Sequence, residues 1–563
     1  MATTTTTTTI SLAADQDAIT INPRTPSRSS NNTPSIQDQT PRDRIELAEP
    51  SQPSEDDIVY PKGLEFWLIV LTACFILILA SIDINIVATA VPAITDYFHT
   101  VADVGWYSSA FRLCACAFQF LFGKAYKYFS VKRVYVLANL LSIVGAIICA
   151  AAPTSAALVV GRAVAGAGTA GLLSGTYALL VQTLPLRQRP MWVGIVSCIE
   201  GVAIVAAPLL GGAITESLGW RWCFGISPPI GAATLILAIY CIKDQPKSGS
   251  IARMTLKEKS SELDIVSNLL ILPSLSCLFL ALAWAGTKYP WSSGEVVGPF
   301  VAFAVLLVGF VYNQFRRGDS AALPPRIMKN RTVIAGAIFI SCTNSASNVI
   351  QYYLPTYFQV VRGYTPGKSG LLMLPIIIAA TLGTLVLGLG TSAFGYYAPF
   401  MLVASLIMPI SSGLLTTFKA DTSSTILIVY TAFAGLGYGI GFSAPQTAVQ
   451  TVLPTADIPL GISVMLFSQS IGPAVAVAIA QVIFTNELGD NLSGLVQGFT
   501  QESIQQKGLT ELVAGVPERA MERVLAGVDK SLSTTWYLVV GLACATVIGS
   551  VAIEWKSVKQ KRS

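Results

Sequence analysis

Charge is what this sequence has least of. Only 12% of its 563 residues are Asp, Glu, Lys or Arg, against ~25% in an ordinary soluble domain, and that excludes a water-soluble globular fold. Histidine is almost missing: His99 is the only one, so neither an imidazole relay nor a histidine-based metal site has its residues. The ten cysteines fall at 74, 114, 116, 149, 198, 223, 241, 277, 342 and 544, in or at the ends of apolar segments and without knuckle spacing. They read as small packing hydrophobes. No nucleophile elbow or phosphate loop is present, and "GAGTAG" (166–171) lacks the preceding strand a dinucleotide loop needs. The sequence therefore points to no enzyme, no metal and no cofactor. The formal charge of +5 falls in short loops between apolar runs, which speaks for a lipid bilayer and against nucleic acid.

What fills the chain is apolar: 53% of residues are hydrophobic, in stretches long enough to cross ~30 Å of hydrocarbon. The pattern predicts an all-α integral membrane protein with fourteen transmembrane helices. They are placed near 64–91, 104–125, 133–152, 156–182, 191–215, 222–242, 264–285, 296–315, 332–360, 368–389, 395–418, 423–450, 458–485 and 533–555. An even number puts both termini on one side. The basic loops 124–133, 187–189, 243–259 and 316–331 lie on that side, whereas 93–103 and 152–156 carry no Lys or Arg. The positive-inside rule then makes both termini cytoplasmic.

Residues 1–62, Thr/Ser/Pro-rich and starting "MATTTTTTT", are too polar to build a core and are expected to be a disordered cytoplasmic tail; 557–563 form a second tail. Residues 487–530 are expected as an outer loop, with helical character around "ERAMERVLAGV" and a glycosylation sequon at Asn491 ("NLS"). Internal symmetry is weak but present: "AVPAITDYFHTVADVGWYSS" (90–109) after the first span has a counterpart in "YLPTYFQVVRGYTPGKSG" (353–370) after the ninth. Two six-helix bundles, 63–242 and 332–556, are therefore expected, with linkers and two inserted helices in 243–331. Six-helix halves around a midplane site are a transporter plan.

Four stretches carry a family resemblance over residues 60–560. "DINIVATAVPAI" (83–94), "GRAVAGAGTAG" (161–171), "GVAIVAAPLLGGAIT" (201–215) and "WRWCFGISPPIG" (220–231) resemble, in order and spacing, motifs of the major facilitator superfamily. Within it they are most similar to the fourteen-span drug:proton antiporters, especially fungal pumps that export toxins and secondary metabolites. The resemblance implies a major facilitator fold, with Asp83 and Arg162 as motif charges and Pro208, Gly211 and Gly212 as the antiporter motif. One departure stands out: the loop after the second span keeps Gly123, but Lys127 sits near where the family has an acid that latches the inward gate.

The charges inside the spans are few. Asp83, Arg112, Arg162 and Glu200 all fall in the first half, where a charge costs at least ~2.5–3.5 kcal/mol and is normally paired or facing water. Counted from expected helix ends, the first three lie roughly 10–14 Å deep; Glu200 lies nearer the midplane. Asp83 and Glu200 are the candidates to exchange protons. Gly161, Gly168 and Gly171 line a small-residue face of helix four. With the fifth-helix motif, that face is either a close-packing surface or one on which helices slide. The second half offers Asn344, Asn348, Gln351, Tyr353, Gln446, Gln450 and Gln469 instead, either as lining for an organic ligand or as helix–helix hydrogen bonds.

These readings converge on a monomeric, proton-coupled antiporter of the fungal plasma membrane that exports small, largely apolar organic compounds such as a toxin, secondary metabolite or drug. Alternatives are an importer on the same fold, for siderophores or basic amino acids and possible in a vacuolar membrane, and a non-transporting membrane receptor.

Overall fold

In hydrocarbon the backbone has to satisfy its own N–H and C=O groups, so apolar runs become helices. Short polar residues start them. Ser130 accepts from the amide of Arg133 at 3.1 Å, Thr154 from Ala157 at 3.2 Å, and Asn330 from Thr332 at 2.9 Å. Gly395, with φ 89°, ends one where the chain reverses. The computed structural model describes residues 61, 63–99, 104–243, 250–285, 289–492 and 518–559. Apart from Pro61, the expected 1–62 tail lies outside these residues, as do 493–517 and 560–563.

The first half comprises α1 (Leu64–Asn85), α2 (Val87–Phe98), α3 (Val104–Ala117), α4 (Gln119–Tyr128), α5 (Val131–Ala150), α6 (Ser155–Thr183), α7 (Arg189–Ser217), α8 (Trp222–Gly225) and α9 (Ser227–Cys241). Two short helices, α10 (Ser250–Arg253) and α11 (Leu256–Ser261), lead into the inserted pair α12 (Ile265–Trp284) and α13 (Gly294–Arg317). After α14 (Pro325–Met328) the second half runs α15 (Arg331–Thr356), α16 (Pro366–Phe394), α17 (Ala398–Leu415), α18 (Ser424–Phe442), α19 (Ala444–Val452), α20 (Ile458–Leu492) and α21 (Glu518–Ala552). The face on which α1 begins and α21 ends is called the terminal face, and the opposite one the distal face.

Twelve helices among the described residues are long and apolar enough to cross a membrane. Two of the fourteen expected spans, the second and the fifth, are not among them. The second is divided at Phe118 into α3 and α4, but Phe118 donates to Cys114 O at 3.0 Å and accepts from Phe122 at 3.1 Å, so the two run on as one rod. The fifth is α7, 29 residues long.

Three boundaries are corrected. The first span does not end near 91 but continues as α2 to Phe98, after a break at Ile86; Asp83 is thus 15 residues from that end, about 22 Å along the axis, deeper than counting suggested. The expected 487–530 loop is helical at both margins: α20 runs to Leu492, and α21 starts at Glu518 and absorbs "ERAMERVLAGV". The cause is burial, because Leu488 and Leu492 pack with Val524, Val528 and Leu532 in one apolar cluster and hold the helices together. Asn491 is accordingly helical, and its amide donates to Ser531 Oγ at 3.0 Å.

Candidate functional site

The halves meet most closely between α7 and α16. Gly194 and Gly388 face each other, and a side chain on either would strike backbone: a Cβ at Gly388 would lie 2.7 Å from Pro190 O and 3.3 Å from Gly194 Cα. The Met191 amide donates to Ser392 Oγ at 3.2 Å, and Cys198 Sγ approaches Thr381 O at 3.4 Å. These contacts lie between the terminal face and the middle of the helices. Further along α7 the partners change, since Gly211 meets Thr89 and Ile86 of its own half and Gly212 meets nothing within 4 Å.

Where the close contact gives way, a cavity opens between α7, α15, α16 and α18. Glu200 lines it with Gln351, Thr381, Thr384, Tyr438 and Phe442. Glu200 is half-buried, is the only acid in this lining, and has no hydrogen-bond or ion-pair partner among the described residues. Tyr177 and Tyr438 are within its electrostatic range. Tyr438 and Phe442, four residues apart on one face of α18, have ring centroids 5.3 Å apart.

The other three intramembrane charges lie elsewhere. Asp83 is buried and accepts from Ser227 Oγ at 2.6 Å. Arg162, 1% exposed, donates through Nε to Tyr107 O at 2.8 Å and lies over the Phe111 ring at 4.3 Å. One of its terminal nitrogens has no hydrogen-bond partner. Asp83 and Arg112 are both within electrostatic range of Arg162, but no ion pair of 4.0 Å or less joins any of the four among the described residues. The structure thus brings Asp83, Arg162 and Arg112 into one neighbourhood and puts Glu200 apart, against the second half.

Of the seven amide and tyrosine candidates, Gln351 alone lines the cavity. Asn344 stands behind it, accepting from Tyr438 Oη at 3.3 Å, and Asn348 donates to Asn344 O at 2.9 Å. Tyr353 belongs instead to the packed core of the second half: its hydroxyl donates to Gln481 at 3.0 Å and its ring rests on Phe484. Gln446 and Gln450 are buried, Gln446 sharing a 3.2 Å hydrogen bond with Gln469. The glycines of α6 face their own half. A Cβ at Gly161 would lie 2.7 Å from Cys149 Sγ, one at Gly168 2.8 Å from Ala138 O, and one at Gly171 2.6 Å from Phe122. That is a packing surface, not the seam between the halves. Pro208's side chain lies outside the described residues.

A second constellation, which the sequence reading missed, lies at the terminal face. Lys127 of α4 pairs with Asp457, in the turn before α20, at 2.8 Å; Arg326 of α14 reaches the same carboxylate at 2.6 Å and Asp319 at 3.2 Å. The Asp457 bond pushes the Arg326 guanidinium above its already high ordinary pKa. Lys124 donates to Asp319 O at 3.3 Å and lies 3.8 Å from Glu262. Beside them Gly123 packs against Ser463 and lies near Pro459 O. The missing acid after the second span is supplied from the other half, with the signs exchanged. A tripartite joint results, tying the first half, the inserted pair and the second half.

An all-helical two-half bundle with a cavity at the seam is the fold of a membrane transporter, not of an enzyme. Residues 73–477 match the Major Facilitator Superfamily, and the chain belongs to that family. It is similar to the MFS-type efflux pump MFS1 of Arthroderma benhamiae, 41% identical over 522 residues, covering 92% of this chain and 97% of that protein. The efflux pump roqT of Penicillium rubens is 38% identical over 514 residues (91% and 95% covered), and the efflux pump aflT of Aspergillus parasiticus 37% over 501 residues (89% and 97%). Among solved structures, the proton:xylose symporter XylE superposes with a TM-score of 0.52 at 14% identity, covering 84% of this chain and 94% of XylE. The human organic anion transporter MFSD10 gives 0.54 at 11%, covering 86% and 100%. At such identities these two show the fold alone.

Proposed function

We propose that this protein is a proton-coupled antiporter that exports a small, largely apolar organic compound, of the secondary-metabolite kind, across the fungal plasma membrane. Three fungal relatives named efflux pumps, covered almost end to end, support the direction of transport. The observation that carries the coupling is Glu200, a carboxyl group without a partner among the described residues, in the wall of the cavity between the halves. A proton on Glu200 and a ligand beside it compete for one space, so each favours the state the other leaves. The chain acts as a monomer with fourteen spans and both termini in the cytoplasm.

In this reading the terminal face is cytoplasmic and the structure is the outward-facing state. The Lys127–Asp457–Arg326 joint holds that face shut, and the Gly194–Gly388 contact lets α7 and α16 close against each other. Compound enters from the cytoplasm when these contacts part. It leaves distally when they reform, and a proton then taken up by Glu200 resets the cycle. Asp83, fastened to Ser227, serves the packing of the first half. The test is substrate-dependent proton movement in inside-out vesicles with an acid lumen: a transported apolar dye enters as the lumen alkalinises. A receptor binds the dye without moving protons, and an importer loads right-side-out vesicles instead.

A further inference from the structure

Among the described residues, Arg112 is an intramembrane charge without a task. On α3, Tyr107 and Phe111 face α6, where they meet Ser155 and Arg162. Leu113, Cys116 and Ala117 pack with α12 and with Phe467 and Ile471 of α20. Successive helical residues are turned ~100° apart, so Arg112 points between these two sets, where α6 and α20 flank α3. Its side chain is exposed. Together these place it at the seam between the halves.

No acid, carbonyl or hydroxyl holds this guanidinium among the described residues. Within its electrostatic range stands another cation, Arg162, which already has Tyr107 O and the Phe111 ring. Asp83, the only acid of that neighbourhood among the described residues, accepts from Ser227. Asp83 thus reaches Arg162 electrostatically and not Arg112, and the exposed guanidinium is left without a counter-charge among the described residues. A cation kept at membrane depth without a protein counter-ion faces water or pairs with something that comes and goes, and a cleft of one sign concentrates opposite charge.

Resting on the export reading above, we propose that Arg112 selects the compound: it is the counter-ion for an acidic group, a carboxylate or an ionised enol, on an otherwise apolar exported molecule. The guanidinium fork suits it, since it can offer two parallel N–H donors to one carboxylate. An inside-negative membrane would then help expel the anion in addition to the proton gradient.

The test compares two fluorescent probes of one shape, 9-anthroate and 9-anthracenemethanol, on the purified full-length protein. Wild type is expected to bind the anion at least tenfold tighter than the alcohol, with the advantage shrinking as salt rises. Arg112→Gln is expected to bring the affinity ratio close to one, and Arg112→Lys to keep part of it. The proposal is overturned if wild type shows no preference, if chloride at equal concentration displaces anthroate fully (a site for small inorganic anions only), or if Arg112→Gln keeps the ratio. Should Arg112→Gln fail to fold, the wild-type preference and its salt dependence, with Arg112→Lys, still decide. Export is read separately: anthroate bound through Arg112 but never moved into inside-out vesicles refutes the pump and leaves the anion site standing.

Discussion

At the scale of single residues, the motifs of the sequence named Asp83 and Arg162 but not what each would touch. A charge in an apolar run is conspicuous because hydrocarbon excludes it. Its partner is not, because Ser227 precedes two prolines and reads as an ordinary helix start. Yet Ser227 Oγ donates to Asp83 at 2.6 Å, and removing it strands a buried carboxyl group. Ser227→Ala should lower thermal stability by roughly 1–3 kcal/mol, and Ser227→Thr should recover most of it. Melting curves by fluorescence-detected size exclusion measure both, and an unchanged Ser227→Ala curve would count against this pairing. Glu200 stood out for the same reason as Asp83. Tyr438 and Phe442 did not, because an aromatic pair four residues apart on a glycine-rich helix looks like core until the opposite half is in place.

Elements explain where periodicity stopped being informative. Apolar runs located most helices because in lipid every turn is written in hydrophobic residues. Their ends misled at α2 and α21, where packing against neighbours extends the helix past the apolar run. The joint at the terminal face was hidden for a further reason: Lys127 and Asp457 are 330 positions apart, and each looks like a solvated loop charge. Asp457→Asn should loosen that face, and native Cys198, beside Thr381 at the seam, reports on it. A membrane-impermeant maleimide applied from the terminal side is expected to label Cys198 several-fold faster, with Cys198→Ser as the control. Lys127→Ala should give a smaller rise, and the double variant should be no faster than Asp457→Asn alone, since both act on one contact. Equal labelling in all of them would mean that the ion pairs do not hold the gate. Gly388→Leu tests the neighbouring contact: its side chain would strike Pro190 O and Gly194, and transport should fall more than tenfold while folded yield holds.

For the molecule as a whole, two halves and an inserted pair could be read from hydropathy and weak repeats, because bundle architecture follows from the order and length of apolar runs. Which face of each helix looks at the seam could not, since a helix apolar all round carries no hydrophobic stripe to read. Residues 1–55 are poor in apolar side chains, so their deletion should leave transport per molecule at the membrane unchanged; a purified truncation unable to move substrate would refute that. The central claim is that the seam couples compound to proton through Glu200. Its most direct test is Glu200→Gln in proteoliposomes with an imposed pH step, where glutamine keeps the size and loses the exchangeable proton. We predict that uphill accumulation of compound disappears, while downhill exchange continues and binding no longer varies with pH. Wild-type uphill transport by Glu200→Gln would contradict the account.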